Sequence, residues 1–224
     1  MILSKIIDSR KQEFKALIKL SLIAVLLVVC RLILPNHRSL GFLIYNLFLA
    51  FIPLIISTYI RFYSNKKTKI SNLICGIIWL IFFPNAPYIL TDGLHVIGPS
   101  SAFVVIDVVI WIYILLIAFW IALLSLDDIE TILLKQVKNR LFVHVVVAFI
   151  TFISAYGIYL GRDLRLNSWD VVLRPYSLVE FIYQTFANET PGFFNWNAVV
   201  FYSIIFYLGY LIHILIQKKK VEVD

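Results

Sequence analysis

The chain has 224 residues, of which 61% are hydrophobic and 15% charged, and its formal net charge is +7. A soluble domain is nearer half apolar, so a water-soluble globule is excluded. The positive charge is clustered beside apolar runs, so it reports membrane topology and argues against a nucleic-acid partner.

About twenty apolar residues cross a bilayer as a helix. Six stretches qualify, at 17–34, 42–60, 71–90, 103–126, 141–160 and 198–216. Burying all six in a soluble core would leave almost nothing to face water. The fold class is therefore all-α: a polytopic membrane protein, a six-transmembrane-helix bundle forming one integral membrane domain over residues 1–224.

The segment before the first span carries Lys5, Arg10, Lys11, Lys15 and Lys19. It resembles the charged start of a signal peptide, but no small-residue cleavage site precedes Arg31, so an uncleaved first helix is expected. Arg31 lies close to the end of its helix and is expected to snorkel to the surface. Further basic clusters fall at Arg61, Lys66, Lys67 and Lys69, at Lys135, Lys138 and Arg140, and at Lys218, Lys219 and Lys220. Together they place fifteen of the 20 basic residues on one side, which puts both termini in the cytoplasm. Cys30 and Cys75 fall near opposite ends of their helices, too far apart for a disulfide.

The third span ends in WLIFFPNAPYILTDGLH, residues 79–95. Pro84 and Pro87 interrupt the backbone ladder, so the helix is expected to kink or stop before Tyr88 and to expose polar groups near one membrane surface. Asn85 and Tyr88 are candidate substrate-binding residues there. Asp92 and His95, three apart, share a face if the helix resumes, within reach of one proton or one metal ion. Asp107 enters on the fourth span a few residues below the same surface. These three groups are the candidate catalytic residues, as an acid/base set or as ligands of a divalent cation. The alternative is that Asp92 caps a helix end, His95 sits in a wet loop, and Asp107 pairs with an arginine. His144 and His213 fall near the opposite ends of their helices and do not join this group.

The last connection, 161–197, is long. Ser177 followed by Glu180 has the form of a capping box, and the run to Ala187 reads as a short interfacial helix with Glu180 and Gln184 on one face. Ahead of it, GRDLRLNSWDVVLRP brings together Arg162, Asp163, Arg165, Asn167, Trp169, Asp170 and Arg174. Guanidinium groups bind phosphate in a two-pronged manner, so a lipid headgroup or lipid-linked phosphate is a natural ligand. An internal salt-bridge network that staples the loop to the helix ends remains equally open.

PNAPYILTDGLH and GRDLRLNSWDVVLRP resemble the two signature regions of an uncharacterised bacterial membrane family, domain of unknown function 1361. Asp107 in VVIDVVIW fits that pattern as well, although Val104, Val105 and Ile106 stand where aromatic residues are expected. The resemblance implies a multi-pass protein of the bacterial inner (plasma) membrane and implies treating both motifs as one site. It implies no activity. Three readings stay open: an enzyme acting on a lipid or lipid-linked substrate, a non-catalytic membrane partner or scaffold, and a transporter subunit. Against the last, only Asp107 lies within a span, near one end, whereas transport sites gather at the midplane.

Overall fold

The computed structural model describes residues 11–33, 40–63, 68–96, 103–163, 166–187 and 196–221. Among these residues there is no strand. The helices are α1 (Lys11–Ile33), α2 (Gly41–Tyr63), α3 (Lys69–Phe82), α4 (Asn85–Val96), α5 (Val104–Val137), α6 (Arg140–Asp163), α7 (Asp170–Leu173), α8 (Pro175–Phe186) and α9 (Trp196–Val221). Six stretches are long and apolar enough to cross a membrane, with α3 and α4 counting as one span over Lys69–Gly93. The protein is a multi-pass membrane protein. Its outward side chains agree: Leu22, Leu26, Phe48, Leu116, Phe149 and Phe201 are each more than half exposed, which suits hydrocarbon and not water.

The fourth span differs most from the sequence expectation. Its hydropathy fades at Asp127, yet α5 runs on to Val137 and ends at Lys138, which adopts left-handed φ as a C-cap. The added turns persist because Ile132 is buried and Asp128 is engaged inside the protein, so tertiary contacts carry the helix past the apolar run.

The chain divides into two compact units, Met1–His144 and Val145–Asp224. In the first unit, α5 packs against α1, α2 and α4, while α2 also packs against α1, α3 and α4. Lipid tails are as apolar as leucine, so close fit and polar bonds between helices hold such a unit together. Tyr113 of α5 donates to the Leu20 carbonyl of α1 at 3.1 Å, and Trp111 Nε1 of α5 donates to the Ile89 carbonyl of α4 at 2.8 Å. The Trp111 ring lies on Gly93, where any Cβ would collide with it. Leu17, Val28, Leu43, Leu54, Ile114 and Ile121 fill the space between these helices. In the second unit, Trp196 of α9 stacks near Phe152 and Tyr156 of α6, each at 6.4 Å between ring centres.

Candidate functional site

The proline signal takes effect as expected. α3 stops at Phe82, Phe83 and Pro84 form a turn, and α4 restarts at Asn85. Pro87 has no N–H to give the Phe83 carbonyl, so the Ala86 amide bonds there instead, at 3.3 Å. That diversion would leave the Phe82 carbonyl without its helical donor. Asn85 supplies one, its Nδ2 donating to Phe82 O at 2.9 Å. Asn85 thus serves the backbone of the break, while the Tyr88 carbonyl accepts from the Thr91 hydroxyl at 2.8 Å.

Asp92 and His95 do share a face of α4, and that face is turned to α2. Asn46 Nδ2 donates to Asp92 Oδ2 at 2.8 Å, and the His95 ring meets Phe42 edge-on at 6.4 Å. Residues 42 and 46 are one turn apart on α2, matching 95 and 92 in antiparallel order. Asp92 is buried and His95 exposed. The exposure expected of the polar groups after the break holds for His95 but not for Asp92, because α2 covers that side of α4.

Asp107 has a different partner. Arg31 Nε and Nη2 grip its two carboxylate oxygens, the second contact at 3.2 Å, with both side chains fully buried. The guanidinium carbon also lies 5.0 Å from the centre of the Phe103 ring. Arg31 does not snorkel to the surface: it is 1% exposed, because a buried carboxylate on α5 meets it before water does. Of the alternatives open in the sequence, the arginine pair is the one observed for Asp107. Among the described residues, no three His, Cys, Asp or Glu side chains stand close enough to hold a metal ion. Cys30 and Cys75 are both free thiols.

A second polar network, missed in the sequence, lies toward the other end of α5. Asp128 Oδ1 accepts from Arg61 Nη1 at 2.8 Å, and its Oδ2 accepts from Ser57 and Thr58 at 3.0 and 2.8 Å. The chain of bonds continues from Trp79 Nε1 to Ser125 at 2.8 Å and from Ser125 to Ser57 at 3.1 Å, linking α2, α3 and α5. Arg61 also reaches the half-exposed side of the unit, contacting Asp127 at 3.0 Å. The available signal was Ser57-Thr58 opposite Asp127-Asp128, two polar pairs next to otherwise apolar spans. Asp107 and Asp128 are separated along α5 by about 32 Å at about 1.5 Å per residue. That length is close to the thickness of a bilayer's hydrocarbon core.

The second motif belongs to the second unit. Arg162 Nη1 donates to the Tyr202 hydroxyl of α9 at 3.2 Å. Asp170 organises the turn that follows: its Oδ2 accepts from the Asn167 backbone N–H at 2.7 Å, and its Oδ1 lies 3.7 Å from Arg174 Nε. Trp169 is the residue on which α7 begins. Asp163 ends α6, and Arg165 lies outside the described residues. The short helix expected after Ser177 is present, but it starts two residues earlier, with Pro175 in its first turn. Proline is pre-set for that position, so no capping box is needed. Glu180 and Gln184 do share a face, joined at 3.4 Å.

No curated protein and no solved structure matches the chain. A sequence model matches residues 45–211, a stretch that takes in Asn46, Asp92, Asp107, Asp128 and the whole second motif but not Arg31. The chain thus belongs to the family described as Protein of unknown function (DUF1361).

Proposed function

We propose that the protein acts at one membrane surface on the polar part of a lipid or lipid-linked substrate, with Asp92 as the proton-transferring group. One observation carries this reading. Asp92 is a buried carboxylate within a span whose one partner among the described residues is a neutral amide, Asn46. Asp107 and Asp128, the other deeply buried carboxylates of that unit, are each matched by an arginine. An ionisable group kept inside a span, with no countercharge among the described residues, is costly unless it works. His95, exposed one turn further on, is placed to pass a proton to or from water. The distribution of basic residues supports this end facing outward and both termini lying in the cytoplasm.

The test is the lipid and lipid-linked glycan profile of cells lacking the gene, measured by mass spectrometry. Restoring the wild-type gene should remove an accumulated species, while Asp92→Asn, expressed and folded to the same level, should leave it. If Asp92→Asn restores the profile as well as wild type, the catalytic reading is wrong. A second reading, a non-catalytic partner of another membrane protein, is favoured by the two arginine–carboxylate networks, which bond one helix to another within the unit. It predicts that wild type and Asp92→Asn behave alike.

A further inference from the structure

The α7–α8 segment carries a surface that neither proton transfer at Asp92 nor the packing of the second unit uses. At about 100° per residue, the side chains of α8 fall into three sectors. Leu178, Phe181, Ile182 and Thr185 occupy the inward one, and Thr185 is 1% exposed. Tyr176, Val179 and Tyr183 form a second sector and are all exposed, Tyr176 at 89%. Ser177, Glu180 and Gln184 form a third, flanked by the first on one side and by the second on the other.

A helix at a simple protein–water boundary needs two sectors. Three are required where protein, hydrocarbon and water all meet, which is the membrane interface. The depth agrees. The Tyr156 hydroxyl donates to Thr185 at 3.4 Å, and Tyr156 belongs to the membrane-crossing stretch Arg140–Arg162, about 9 Å of helix before its end. The end of α8 is therefore tied to a residue inside the span. Its outward stripe of two tyrosines and a valine is the composition that settles at headgroup depth. Val172 and Leu173 of α7 extend the apolar surface, at 78% and 71% exposure.

Arg174 stands where this surface begins. Its side chain is 68% exposed, and only Nε approaches Asp170, at 3.7 Å. A guanidinium this exposed can take a phosphate on its outer edge.

We propose that α7 and α8 form a lipid-docking surface: Leu173, Tyr176, Val179 and Tyr183 lie against acyl chains while Arg174 binds the phosphate of an anionic lipid. This inference is independent of the Asp92 reading and is tested without an activity assay. Full-length protein carrying C30S and C75S is placed in nanodiscs of phosphatidylcholine, with or without phosphatidylglycerol. Nitroxide labels on V179C and Y183C should be accessible to oxygen and shielded from a water-soluble nickel chelate, and labels on S177C and Q184C should show the reverse. Labels at 179 and 183 that the chelate reaches, or that neither reagent reaches, would overturn the proposal, the latter pointing to a protein partner. Native mass spectrometry reads the headgroup: R174A should retain about fivefold less phosphatidylglycerol, and R174K an amount between the two, because lysine keeps the charge but loses the two-pronged fork. Equal retention by R174A and wild type would overturn the role given to Arg174.

Discussion

The Arg31–Asp107 pair offers a direct way to separate a structural carboxylate from a catalytic one. Both side chains are fully buried and joined by two contacts, so removing one partner leaves the other as an uncompensated charge in a low-dielectric interior. Asp107→Leu should therefore destabilise the first unit by about 3–5 kcal/mol. Arg31→Met should cost a similar amount, with about 1 kcal/mol more from the lost stacking on Phe103. The double variant removes both charges and should recover most of that loss, because a well-packed apolar pair is often as stable as a buried ion pair. The coupling between the two sites is then at least about 5 kcal/mol, well above the few tenths expected of independent positions. The cycle is read from reversible unfolding in mixed detergent–SDS micelles, followed by tryptophan fluorescence, to which Trp111, one turn after Asp107 on α5, contributes. A coupling below about 0.5 kcal/mol would refute the reasoning. So would a function lost in the double variant although its stability is restored, which would return Asp107 to the list of catalytic residues.

Three further outcomes are expected. Gly93→Ala should push the Trp111 ring off α4 and cost about 1–3 kcal/mol, whereas Gly76→Ala, where nothing stands near the added Cβ, should stay within about 1 kcal/mol of wild type; near-equal stabilities would contradict the close approach. Asp128→Leu should destabilise by about 3–5 kcal/mol because Arg61, Ser57 and Thr58 all depend on it, while Asp127→Asn, at a half-exposed pair, should cost less than about 1 kcal/mol in the same unfolding assay. Single cysteines at Ser100 and Asn188, in a background lacking Cys30 and Cys75, should react with an impermeant maleimide on intact cells, and one at Asn65 only after permeabilisation; the reverse pattern would invert the proposed topology.

The sequence by itself determined the number of crossings, the all-helical class and the break at Pro84. These are local properties: hydropathy sums along the chain, and proline's missing N–H is covalent, so no distant contact is needed to read either. It also placed Asp92 and His95 on one face, since three residues along any α-helix give that result. What covers the face was decided elsewhere. Asn46 is 46 residues from Asp92, Arg31 is 76 from Asp107, and Arg61 is 67 from Asp128. Such pairs depend on which spans are neighbours and on the rotation of each about its axis. In lipid every span is apolar on most sides, so hydropathy fixes neither choice. For that reason Arg31 read as a snorkelling residue, and a pairing of Asp107 with an arginine was one open alternative, until packing put one against the other. The same reasoning explains α5, whose last turns are held by Asp128 and Ile132 and not by the local apolar pattern.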